Sequence, residues 1–339
     1  MVAVTSPKAT LTRDLVTPSA FSWPAIPRPI SPKTLLLISL THLRYKEKTV
    51  SEAIHIEVPI AAATPQVFRA LTQSDELMSW FAEQARVSRT EGRYDFWGRL
   101  TPESPTPEQG SHRLLSWEPD RSLAFIWPVR DAETTVTITL EPEEQATLLR
   151  VVHEGLPSRK RGQASFTDFW ELSLENLRGW VERRVVGARC DFSGEMHGDV
   201  HLEVEIGASS PTVFHALMTP AELDRFFAIK AVVEPHIGGR YDFGWGDGGP
   251  VKILELTQGA KLAYSWHFEN EPPTIVTWTL ENSGGGTRLT LVHSGFGRQT
   301  WTEEYHCGWL NCANRLKFLV EVGPSWRPPA LTMRDRSEV

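Results

Sequence analysis

The sequence predicts an α+β protein in which one small module is used twice in tandem, each copy a curved antiparallel sheet closed by a long C-terminal helix. Three observations carry this: an internal repeat across most of the chain, the same order of strand and helix patterns in both copies, and enough length for two cores. At 339 residues the chain exceeds a comfortable single-core size. Its composition, 40% hydrophobic and 23% charged, is that of a globular protein, with 13 Trp as the one departure. Large indoles favour deep cores or apolar pockets.

The repeat is read directly. Ile54-His55-Ile56-Glu57-Val58 matches Val200-His201-Leu202-Glu203-Val204 at an offset of 146, which also aligns Pro65 with Pro211, Val67-Phe68 with Val213-Phe214 and Ala70-Leu71 with Ala216-Leu217. One residue of drift aligns Arg93-Tyr94-Asp95-Phe96 with Arg240-Tyr241-Asp242-Phe243. The offset then drops to 139 or 140, pairing Trp127 with Trp266 and His153 with His293. The difference lies in one segment, Thr101 to Gly110 in the first copy, against a short Gly-rich turn, Gly246 to Pro250, in the second. A surface insertion is expected there.

Each copy opens with an alternating strand, followed by a helix start in which Thr64-Pro65 or Ser210-Pro211 places an acceptor at the N-cap and Pro at N1. A second short helix follows, with capping-box spacing in Thr219-Pro220-Ala221-Glu222 and a weaker start at Ser74-Asp75-Glu76. Strand patterns come next, at Tyr241 to Trp245, Val251 to Leu256, Lys261 to Phe268, Thr274 to Leu280 and Thr287 to His293, joined by loops short enough for antiparallel hairpins. Val276, Trp278 and Leu280 alternate with polar partners, so one face is buried. The closing helix carries Trp170, Leu174, Leu177 and Val181 on one face, repeated by Trp309, Ala313, Leu316 and Val320. Gly187 and Gly323-Pro324 end these helices.

The expected organisation is an extension over 1–50, a first domain over 51–187, a linker over 188–198, a second domain over 199–323 and a flexible tail over 324–339. The extension holds six Pro and no sustained period, and reads as disordered or as lying upstream of a true start near Val50. It carries seven Lys/Arg against two Asp/Glu, net +5, which leaves −12 on the remainder of a chain whose formal charge is −7. An acidic body argues against a nucleic-acid partner. The longest apolar run near the N-terminus, Leu35 to Leu40, is far short of a membrane span. Three cysteines, Cys190, Cys307 and Cys312, are too few and unevenly placed for a disulfide framework, which points to a reducing compartment, the cytoplasm, with the cysteines buried as small hydrophobes.

The string Pro211 to Leu217, Phe226-Phe227, Gly238-Gly239-Arg240-Tyr241-Asp242-Phe243, Leu262-x-Tyr264-x-Trp266, Gly285 to Leu291 with His293-Ser294-Gly295, and Gly308-Trp309 with Leu316 resembles the SRPBCC, or START-like, superfamily. Within it the chain is similar to the group around the C-terminal domain of the heat-shock-protein-90 ATPase activator, over about 52–186 and 199–323. The first copy departs from the pattern at Glu91-Gly92, Gln145-Ala146 and Phe169-Trp170. The resemblance implies tandem helix-grip domains, each with a hydrophobic cavity between sheet and long helix that takes small apolar molecules. Some members are cyclases or hydrolases.

A ligand site is therefore expected at Tyr241, Phe243, Tyr264, Trp266, Trp278, His293 and Trp309 in the second domain, and at Phe125, Trp127, His153 and Trp170 in the first, with core packing as the rival reading. His293 and Tyr305 are the candidates for a general acid or base; a hydrogen-bonded structural role is the rival for the two histidines. Tyr305-His306-Cys307 with Cys312 lacks the spacing of a zinc site, and the Gly-rich segments sit between strands, where a phosphate loop is excluded. No cofactor or metal is expected. The partner expected is a small hydrophobic ligand, with a cyclase-, dehydratase- or hydrolase-type enzyme and a chaperone-binding module as alternatives. The remaining Asp and Glu read as a solvated surface.

Overall fold

The computed structural model describes residues 52–194, 196–246, 248–268 and 271–331, so the expected extension and the last eight residues lie outside the described residues. In the first domain β1 (Glu52–Ile60) leads into α1 (Thr64–Thr72) and α2 (Ser74–Trp80). Six strands follow: β2 (Gln84–Ser88), β3 (Arg93–Trp97), β4 (Arg113–Glu118), β5 (Ser122–Val129), β6 (Ala132–Pro142) and β7 (Thr147–Leu156), and α3 (Phe166–Arg183) closes the unit. The second domain repeats the order with β8 (Val200–Ile206), α4 (Ser210–Met218), α5 (Pro220–Phe226), β9 (Val232–Val233), β10 (Tyr241–Asp242), β11 (Gly248–Thr257), β12 (Lys261–Phe268), β13 (Thr274–Ser283), β14 (Gly286–Ser294) and α6 (Glu303–Val322). Both are helix-grip units: β1 closes back on β7 and β8 on β14, in antiparallel register, bringing the first strand of each unit beside the last.

The alternation read from β13 holds, with Val276, Trp278 and Leu280 buried and Ile275 exposed. Local details differ. The helix caps fall one residue earlier than expected, at Ala63 and Ser209, and only Ser209 bonds a backbone N–H, that of Thr212. The expected capping box is absent: Thr219 makes no side-chain cap, and Glu222 pairs with Arg225 at 2.7 Å. In the first copy Ser74 instead accepts from the Val87 N–H. The first domain's sheet is continuous from β1 to β2, whereas in the second β9 and β10 form a separate ribbon.

The domains are not beads on a string. α3 packs along α6, and Leu172 of α3 belongs to the core of the second domain. α3 is consequently buried without interruption from Asp168 to Gly179, where one apolar face was expected. The opposite face, read from sequence as solvated, carries the buried Asp168, Glu171, Glu175 and Arg178. Asn311 Nδ2 donates to Glu171 at 2.8 Å, and Arg315 pairs with Glu171 at 2.7 Å and donates to the Phe226 carbonyl at 3.2 Å. Burial pushes the Glu171 carboxyl up to about 7, opposed by Arg315 and reinforced by Asp168, which burial raises as well.

Two further expectations are corrected at this joint. Residues 324–331, assigned to a flexible tail, bury Trp326, whose indole N–H donates to Glu175 at 2.9 Å, and form β15 (Ala330–Leu331) beside β1. The linker is stapled, since Cys190 is disulfide-bonded to Cys307 of α6; Cys312 alone stays a buried thiol. The partners are 117 residues apart, a pairing that only the fold brings together. Among the described residues no helix is long and apolar enough to cross a membrane.

Candidate ligand-binding site

Inward parity on the sheet and the apolar stripe of the closing helix bring the aromatic set of each domain together. In the second domain Tyr241 and Tyr264 stack at 4.8 Å, Trp266 meets Trp309 edge-on at 5.2 Å, and Trp278 meets Trp309 at 5.9 Å. In the first, Tyr94 lies 4.6 Å from Phe125, and Trp127 lies 5.4 Å from His153 and 6.1 Å from Trp170. These are separations of rings in contact. The hollow implied by the resemblance is thus filled ring against ring around the expected residues, all of them buried.

Several polar tips are fixed in the same way in both copies. Tyr94 and Tyr241 donate to the carbonyls of Leu71 (2.6 Å) and Leu217 (2.7 Å), tying β3 and β10 to the first helix of their unit. Trp170 donates to His153 Nδ1 and Trp309 to His293 Nδ1, both at 3.0 Å. Since Nδ1 accepts, the ring proton sits on Nε2, which faces Thr134 Oγ1 or Thr274 Oγ1 at 2.7 Å. Both nitrogens of each histidine are committed to the fold, and burial lowers both rings to about 3. A ring held neutral with no nitrogen to spare is poorly placed to orient a ligand or move a proton. Tyr305, the other acid–base candidate, donates to Glu271 at 3.0 Å, and burial and the neighbouring Glu271 raise its phenol well above the ordinary range.

The copies differ at one end of the aromatic stack. In the first domain the segment expected to be a surface insertion folds inward: Thr101 and Ser104 are fully buried, and Ser104 Oγ accepts the Trp127 indole N–H at 3.2 Å. Glu103 holds the segment down through Arg130 at 3.0 Å and Gln163 at 3.1 Å. The second domain has no such segment. Its equivalent N–H, on the buried Trp266, forms no hydrogen bond of good geometry among the described residues, with the Tyr305 hydroxyl as its polar neighbour. The rings around that end, Trp245, Phe268 and Phe296, are only half-buried.

Sequence reasoning missed His112. Its buried ring stacks on Phe96 at 3.9 Å, near the Tyr94 and Gly110 carbonyls without a well-formed bond, and burial lowers it to about 3. The second copy has Val251 at that place, so the repeat gives no signal. Two open pockets, of about 390 and 330 Å³, occupy matching positions at the strand edges near Arg93 and Arg240. Apart from His112, the aromatic residues named above line neither, and their recurrence in both copies belongs to the shared fold. Among the described residues no group of three or more His, Cys, Asp or Glu is placed to hold a metal ion.

Fold and site together define a tandem helix-grip protein with two packed aromatic clusters, one capped by an inserted segment of its own domain and one without that cap. The profile of the family described as activator of Hsp90 ATPase homolog 1-like protein matches residues 61–182 and again 208–321, well over half of the chain, so the chain belongs to that family as a tandem member. Among solved structures, protein CV1439 from Chromobacterium violaceum is 23% identical over 37% of this chain and 97% of its own, with a TM-score of 0.31. The Aha1 dimer from Colwellia psychrerythraea is 22% identical over 38% and 98%, with a TM-score of 0.34. DynU16, described as a putative protein in the dynemicin biosynthetic locus, is 16% identical over 79% and 98%, with a TM-score of 0.29. No curated protein matches the chain.

Proposed function

We propose that this protein binds a small apolar or aromatic molecule in its second domain, at the end of the stack formed by Trp266, Trp309 and Tyr305, and that the first domain serves as a scaffold. The observation that carries this reading is the contrast between the paired indoles. Trp127 is capped by Ser104 of an inserted segment, while Trp266 keeps a buried N–H without a well-formed bond behind half-buried rings. A buried donor without a well-formed bond costs up to about 1–3 kcal/mol, a cost that a better-placed acceptor on a ligand would reduce. Apolar walls with one or two polar anchors are the usual make-up of such sites.

The test is tryptophan emission and melting temperature across a panel of lipids and aromatic metabolites, beside mass spectrometry of small molecules extracted from the purified protein. A panel that shifts neither signal, together with an empty extract, would sink the reading. The family description names a chaperone ATPase activator, and a chaperone-binding role is the second reading. A pull-down with purified Hsp90 decides it.

A further inference from the structure

We propose that the ligand of the second domain is an aromatic carboxylate, held at the place where Glu271 now sits by Tyr305 and by Arg161, a residue of the first domain. This rests on the reading above and names the chemistry of the same site. Glu271 already presents a carboxylate at the mouth of the stack: one oxygen accepts from the Tyr305 hydroxyl at 3.0 Å, the other from the Arg161 guanidinium. Directly behind it Tyr305 lies 4.9 Å from His293, 5.0 Å from Phe296 and 6.5 Å from Trp266, so an acid group here would set its ring against the end of the aromatic stack.

Among the described residues three donors converge at this end beside Glu271, the Trp266 N–H, the Tyr305 O–H and the Arg161 guanidinium, with the Glu304 carboxylate close by. A set of donors around one acceptor suits a carboxylate, which accepts only. The first copy serves as an internal control. It carries Phe166 where the second has Tyr305, and its Trp127 N–H is already bonded to Ser104, so neither donor is offered there.

Arg161 is held over the mouth by the segment that carries it. The Gly162 carbonyl accepts from the Glu304 N–H at 2.9 Å, and Arg159 pairs with Glu304 at 2.6 Å, which also offsets that carboxylate near an incoming anion. Gly162 has φ +85, and a Cβ there would fall 2.6 Å from the Trp301 carbonyl oxygen, so only glycine allows this contact. The Arg161 side chain is 72% exposed, which makes its pair with Glu271 a weak one that a ligand carboxylate can replace at little cost.

The test uses the full chain, 2-naphthoate and its neutral methyl ester, followed by titration calorimetry. The wild type is expected to prefer the acid. Arg161→Ala and Tyr305→Phe, the latter matching the first copy, each weaken naphthoate roughly fivefold to tenfold and leave the ester unchanged. Glu271→Gln, which removes the competing charge, tightens naphthoate. Equal affinity for acid and ester, unchanged naphthoate binding in both weakening variants, or weaker binding in Glu271→Gln overturns the inference while the apolar site survives. Binding of neither probe overturns it too, and the wider panel then decides whether the site itself stands.

Discussion

Replacing Glu171 by Gln is expected to reshape the pH dependence of stability, because this carboxyl is fully buried between α3 and α6 and is raised from 4.5 to about 7. A carboxyl whose folded value exceeds its unfolded value binds its proton more tightly in the native state. Its contribution is therefore complete below about pH 4.5 and is lost as pH rises through about 7. A displacement of that size, at about 1.4 kcal/mol per unit, corresponds to roughly 3 kcal/mol between pH 4.5 and 8. Glutamine keeps the shape and never ionises, so the variant should gain roughly 3 kcal/mol relative to wild type across that interval. The buried histidines titrate in both proteins and largely cancel in the difference, whereas Asp168, which is coupled to Glu171, is eased as well by the substitution. The assay is urea unfolding at half-unit pH steps. Parallel stability curves for the two proteins would show that the joint between the helices does not hold a proton and would refute the reasoning.

Ser104→Ala should cost about 1–3 kcal/mol by leaving the Trp127 N–H unpaired in the first domain, with ligand binding in the second unaffected; chemical unfolding and calorimetry read the two effects separately. His293→Phe strips the buried Trp309 N–H of its acceptor and should lower stability by a similar amount, while any turnover found for the protein stays at the wild-type rate; loss of turnover in a folded variant would restore His293 as an acid or base.

Much of the architecture was legible because it is local or repeated. The alternation of Val276, Trp278 and Leu280 fixes a face whatever lies beyond it, and the matched pairs Trp127/Trp266 and His153/His293 place two aromatic clusters without any contact being known. Periodicity along α3 marks the face that meets its own sheet but says nothing of what covers the other side. Asp168, Glu171 and Glu175 were therefore misread as solvated, being buried by α6 some 140 residues away and by Trp326 beyond it. The cap positions slipped by one because Thr64-Pro65 and Ala63-Thr64 both satisfy the preference for Pro in the first turn. Ser104 looked like part of a polar insertion, and its bond to Trp127 emerges only when the segment is folded inward. His153 and His293 were legible as inward-facing; their engagement by Trp170 and Trp309 joins a strand to a helix 16 or 17 residues later, a link that single-sequence patterns do not encode.

The pairing of Ile56 with Leu331 and Glu57 with Ala330 has a mechanical consequence. The strand that opens the first unit is clasped by the segment that leaves the second, so the duplicated chain forms a closed belt. The second half cannot come loose without uncovering an edge of the first. A chain cut short before Ala330 would leave the opening strand of the first unit bare along that edge.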